Sequence, residues 1–110
     1  MKKLVAIFLV GMGILLSFPQ SSGAQWVKTT GPTGCGILAL AVSGANLFAG
    51  TCGDGVFLSK DNSASWTAIN SGWPADTRTN FLFVSGGYLF AGTSGRGVLR
   101  LPLSEISLIK

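Results

Sequence analysis

Histidine is absent from the 110 residues. That removes the commonest general base near neutral pH and the commonest metal ligand. Two cysteines without a histidine do not make a zinc site. Charge is sparse as well, with eight Lys and Arg against four Asp and Glu. The cations do not cluster: Lys28, Lys60, Arg78, Arg96, Arg100 and Lys110 are spread along the chain. Nucleic-acid binding needs a patch of Lys and Arg that displaces counterions, so no nucleic-acid partner is expected. Serine nucleophiles have no histidine to activate them. The carboxylates Asp54 and Asp61 read as turn residues and not as a glycosidase pair sharing a cleft. No catalytic residue, cofactor site or metal site is expected.

The long hydrophobic runs are limited to one, Leu4–Leu16, behind the pair Lys2-Lys3. A charged start, an apolar core of about a dozen residues and the small residues Ser22-Gly23-Ala24 have the form of a signal peptide. The run is short of the roughly 20 residues that span a bilayer. Residues 1–24 are therefore expected to form a signal helix cleaved after Ala24, with an uncleaved anchor as the alternative. The expected location is secreted or periplasmic, with no stable membrane span after cleavage. Without those 24 residues the chain carries six cations and four anions, a net +2.

What the sequence has in quantity is glycine, 16 residues, and most of it recurs in register. Val42–Val56 reads VSGANLFAGTCGDGV and Val84–Val98 reads VSGGYLFAGTSGRGV, identical at 11 of 15 positions with an offset of 42. Trp26–Gly31 aligns with Trp66–Gly72 if one residue is skipped. Each unit predicts a strand (Ile37–Ser43; Asn80–Ser85), a tight turn (Gly44-Ala45; Gly86-Gly87) and a second strand (Asn46–Thr51; Tyr88–Thr93). A Gly-x-Gly turn and a third strand follow (Val56–Ser59; Val98–Leu101). Glycine supplies the positive φ that such turns require. A phosphate-cradling loop would need a helix after the glycines, and here a β run follows. Ser65–Asn70 predicts a fourth strand. Four short strands per unit of about 40 residues is the spacing of a propeller blade.

Ser59-Lys60-Asp61-Asn62-Ser63-Ala64-Ser65-Trp66 resembles the Asp-box, or BNR repeat, Ser/Thr-x-Asp-x-Gly-x-x-Trp, with Ser63 in place of the usual glycine. The resemblance implies a structural hairpin in which Ser59, Asp61 and Ser63 shape the turn and Trp66 buries between sheets. Sialidases, sortilin-like receptors and photosystem assembly factors carry such boxes. This chain is most similar to uncharacterised secreted bacterial tandem-repeat proteins of that type. A sialidase would need an arginine triad and a Tyr–Glu pair gathered from several blades. Here Tyr88 and Glu105 are the single tyrosine and glutamate, and no motif ties them together.

The expected fold is all-β: two four-stranded antiparallel propeller-blade-like units, an incomplete β-propeller. The first spans 25–71 and includes an N-terminal extra strand; the second spans 72–110. Pro102 is expected to interrupt pairing, so the second unit lacks a fourth strand of its own. Gln25–Thr29 reads as a displaced one, completing the C-terminal blade of its own chain or of a neighbour. The expected function is a non-enzymatic, exported binding or scaffold module. The alternatives are an oligomeric lectin-like propeller and a truncated remnant of a sialidase-like or photosystem-assembly-factor-like propeller. Expected partners are a second copy of the chain or a protein or glycan ligand. Trp73 and Arg78 are the candidate ligand contacts, with a plug between the units as the other reading of Trp73. Cys35 and Cys52 form either a disulfide, which an exported compartment favours, or a pair of buried thiols.

Overall fold

Alternation of side chains along short strands decides this architecture, because each strand has one face for a core and one left over. The structure is a computed structural model that describes residues 24–32 and 34–109. All but the last residue of the expected signal segment lies outside them. Among the described residues seven strands form: β1 Ile37–Ser43, β2 Asn46–Thr51, β3 Val56–Ser59, β4 Thr67–Ala68, β5 Thr79–Ser85, β6 Tyr88–Thr93 and β7 Val98–Pro102. A 3-10 helix, Leu103–Leu108, follows β7 directly. The first sheet is ordered β1-β2-β3-β4 and the second β5-β6-β7. All ladders are antiparallel.

The two-residue turns at Gly44-Ala45 and Gly86-Gly87 set the registers Ser43↔Asn46 and Ser85↔Tyr88. Gly44 and Gly86 take φ of 58° and 57°, which favours glycine there. Counting on from the first turn would put Ile37 opposite Cys52. Instead Ile37 faces Thr51, because an irregularity between Ile37 and Ala39 absorbs one residue. The same shift recurs between Thr79 and Phe81. The bulge is therefore part of the repeat, and it bends each first strand near its start.

Register assigns every side chain to a face. In the first sheet Ala39, Ala41, Phe48, Gly50, Val56 and Leu58 share one side, and Leu40, Val42, Leu47, Ala49 and Phe57 share the other. In the second sheet Leu82, Val84, Leu89, Ala91, Leu99 and Leu101 lie opposite Phe81, Phe83, Tyr88, Phe90, Val98 and Arg100. The core joins the first group of each sheet: Phe48, Val56 and Leu58 pack against Leu82, Leu89 and Ala91, and Ile106 of the 3-10 helix closes one end. We call these the inner faces. β5 lies against β1 and β2. The close approach is made at Gly50, where any Cβ would collide with the buried side chain of Thr79.

Four expectations are corrected. The second unit has three strands, not four, while the first has four. The fourth strand of the first unit is a two-residue ladder, Thr67–Ala68, and not Ser65–Asn70. The own-chain form of the displaced strand is absent among the described residues: Gln25–Thr29 pairs with no strand of its own chain, and Trp26 is fully exposed. Pro102 does not interrupt β7 early. It is the last residue of that strand, opposite Tyr88, a position where its missing N–H costs little.

Candidate functional site

The chemistry that repeats is turn chemistry, and threonine carries it. Thr51 Oγ1 donates to the Gly55 carbonyl at 2.8 Å and accepts from the Asp54 amide at 2.9 Å. Forty-two residues on, Thr93 Oγ1 donates to the Gly97 carbonyl at 2.6 Å and accepts from the Arg96 amide at 3.1 Å. Each threonine thus bridges its Gly-x-Gly turn, which leaves Asp54 and Arg96 as interchangeable outward residues. The identity of both threonines across the repeat was the signal for this role, beside the more conspicuous glycines. Asn70 extends the first of these turns: its Oδ1 accepts from the Val56 amide at 2.9 Å and its Nδ2 donates to the Asp54 carbonyl at 3.1 Å.

Ser59, Asp61 and Ser63 come together in one hairpin. Asp61 accepts from the Ser65 amide at 2.9 Å, from the Ser65 hydroxyl at 2.6 Å and from the Ser59 hydroxyl at 2.9 Å. Ser59 Oγ in turn accepts from the Ser63 amide at 2.8 Å. The Ser65 hydroxyl, then the Ser65 amide and the Ser59 hydroxyl, hold the Asp61 carboxyl below its ordinary value of 3.8. Asn62 and Ser63 both take positive φ, 57° and 75°. The charge of Asp61 is therefore committed to turn donors. Trp66 is half-buried, but on the outer face of the first sheet, beside Phe57 and beneath Gly31 and Pro32, not between the sheets. Its parity explains this: Ala68, two residues on, faces Phe57.

Cys35 and Cys52 are joined in a disulfide, with Cα atoms 5.7 Å apart. The Cys52 amide also donates to the Gly36 carbonyl at 3.2 Å, which carries the pairing of β1 and β2 past the bulge to the cross-link. The bond is consistent with an oxidising location outside the cytoplasm.

Trp73 and Arg78 are not brought to one surface. Trp73 packs against the inter-sheet core, its Nε1 buried without a hydrogen-bond partner, whereas Arg78 is exposed. Trp73 instead lines a cleft of about 260 Å³ between the sheets. One wall is Val56, Ile69, Ser71 and Gly72; the other is Leu89, Ala91 and Leu99–Leu101 of the second sheet. The cleft opens beside β7, where the second sheet stops one strand short of the first.

A second surface escaped sequence reasoning. On the outer face of the second sheet Phe83 and Phe90 stack with centroids 5.2 Å apart, and the Arg100 guanidinium lies 4.4 Å from the centre of the Tyr88 ring. Phe81 and Phe83 are about half exposed. The signal was available in the repeat, since Phe81, Phe83 and Arg100 stand where the first unit has Ala39, Ala41 and Leu58.

Among the described residues no group of three or more His, Cys, Asp and Glu is placed to hold a metal ion, and no helix is long and apolar enough to cross a membrane. Comparisons with family models, with curated proteins and with solved structures found no match to this chain.

Proposed function

We propose that the chain is an exported, non-enzymatic repeat protein of the Asp-box type, built from propeller-blade-like units and acting as a binding or scaffold module. One observation carries the reading: the polar residues that recur or cluster are spent on holding turns. Thr51, Thr93, Ser59 and Asp61 all satisfy backbone or neighbouring side-chain groups within their own hairpins. The hairpin at Ser59–Ser65 supports the Asp-box resemblance through the three bonds that Asp61 accepts. Tyr88 and Glu105, the only residues of their types, belong to different elements, strand β6 and the 3-10 helix. What the molecule offers outward is apolar and aromatic sheet surface, which suits recognition through contact area.

Two measurements test this. Expressed with its own N-terminus in a bacterium that exports proteins, the chain is expected in the periplasm or medium, beginning at Gln25. Recovery from the cytoplasm beginning at Met1 would overturn export. The purified protein is expected to bind an immobilised glycan or surface-protein panel saturably while leaving a fluorogenic sialoside intact. Sialoside turnover that disappears with Tyr88→Phe would overturn the non-enzymatic reading.

A further inference from the structure

The two faces of each sheet are not independent, because the repeat copies them. The outer face of the first sheet carries Leu40, Val42, Leu47 and Ala49; the inner face of the second carries Leu82, Val84, Leu89 and Ala91 at the same repeat positions. The residues are identical, but their surroundings differ. Leu82 is 8% exposed and Leu40 is 61% exposed. Conversely, Phe48 and Val56 are buried on the inner face of the first sheet, and their counterparts Phe90 and Val98 lie on the outer face of the second. Ala49 is buried like Ala91, but at Leu40 and Val42 the first sheet displays a surface that the second sheet already buries, and the second displays the matching partner.

A missing strand coincides with these open faces. In the first sheet Thr67 and Ala68 pair with Leu58 and Phe57. Their counterparts in β7, Arg100 and Leu99, have no strand on that side among the described residues. The segment that aligns with Trp66-Thr67-Ala68 is Trp26-Val27-Lys28, which is exposed throughout. The end of this segment is anchored on the side of the first sheet that faces away from the second. Thr30 Oγ1 donates to the Ser63 and Ala64 carbonyls, and Gly31 and Pro32 lie over Phe57 and Trp66. This holds Thr30–Pro32, where the segment ends, on the outer face of the first sheet, while the second sheet lies against the inner face.

We propose that Gln25–Thr30 of a second copy adds to β7 as the fourth strand of the second sheet, so that copies join head to tail. By the repeat, Val27 lies opposite Arg100 and Lys28 opposite Leu99. Trp66 stands beside Leu47 and Ala49 on the outer face of its sheet; the counterpart position for Trp26 is beside Leu89 and Ala91, in the cleft next to Trp73. The same placement lays the outer face of the second copy's first sheet on Phe83 and Phe90. It thereby continues the inter-sheet interface that the molecule already contains. Main-chain pairing to an exposed edge supplies the affinity and the tryptophan supplies the register, as in other strand additions. The inference stands on fold and repeat and does not depend on the exported binding role.

The test uses the chain purified from whichever fraction holds it, with its first residue sequenced. Light scattering after size exclusion is expected to give a mass of two or more copies at micromolar concentration. Val27→Pro removes a ladder donor at an exposed position and is expected to lower the mass to one copy with the β circular dichroism retained. Separately made Val27→Cys and Arg100→Cys chains, mixed and oxidised, are expected to give a cross-link between the two different chains, identified by peptide mass. A single-copy mass for the unaltered chain with full β signal would overturn the proposal. So would a Val27→Cys/Arg100→Cys double variant that cross-links only within one chain, and so would a Val27→Pro mass unchanged from the unaltered chain.

Discussion

Ser63 holds the clearest single-residue cost in the molecule. Its φ of 75° lies in the left-handed region, which costs an L-residue roughly 1–2 kcal/mol relative to glycine's indifference. The side chain of Ser63 donates nothing to the turn; only its amide does, to Ser59. Ser63→Gly is therefore expected to stabilise the protein by about 1 kcal/mol, read as a rise in the urea midpoint at unchanged slope. Asp61 in the same hairpin sets an acid dependence. Its carboxyl titrates below the ordinary 3.8 because the folded turn donates to the charged form. The ionised turn is thus favoured above about pH 4, and that contribution is lost as pH falls through the depressed folded value. The Ser65 amide should lose hydrogen-exchange protection over that acid interval. In Asp61→Asn the amide should be less protected at neutral pH and show no such acid step.

Strands and turns are where sequence and structure agree most, and the reason is local. Glycine at Gly44 and Gly86 dictates tight turns, so β1 and β2, and β5 and β6, were legible to within one residue. Elements whose formation depends on a partner were not. Thr67–Ala68 stops after two residues because Asn70 replaces ladder bonds with side-chain bonds to Val56 and Asp54. Nothing in the spacing announces the 3-10 helix, which exists to bury Ile106 at the end of the core. The bulges were likewise invisible, since they depend on how the sheets bend together. The disulfide was legible as one of two outcomes, and the pairing of Gly36 with Cys52 decided it by bringing the cysteines adjacent. Trp73 and Arg78 part for a related reason: the four loop residues 74–77 separate a side chain drawn into the core from one left in solvent. At Gly50 the packing of elements yields a prediction. Gly50→Ala drives a Cβ into buried Thr79, whose own Cβ would lie 2.7 Å away, so that no change of rotamer relieves the clash. It is expected to destabilise by about 1–3 kcal/mol. Gly92→Ala, at the same repeat position, meets only the ring of half-exposed Phe81 and should cost less. Chemical unfolding of the two variants side by side checks the order.

For the whole molecule the two sheets share one core, so neither is expected to unfold alone. Phe48 is fully buried at its centre and packs with residues of both sheets. Phe48→Ala is expected to cost about 3–5 kcal/mol, a large part of the stability of a small domain. Its effect should appear in both sheets at once: amides of β2 and of β6 should lose exchange protection by the same factor, and a loss confined to β2 would mean that the sheets are separate folding units. The matching of outer and inner faces also bears on how such a chain can change in length. A further copy of residues 42–83 inserted in tandem would add one sheet whose two sides meet neighbours of kinds the molecule already possesses. Growth by whole units requires no newly invented contact, whereas a partial unit would leave a strand edge and two mismatched surfaces. A change in length that keeps every contact is therefore expected in steps of 42 residues.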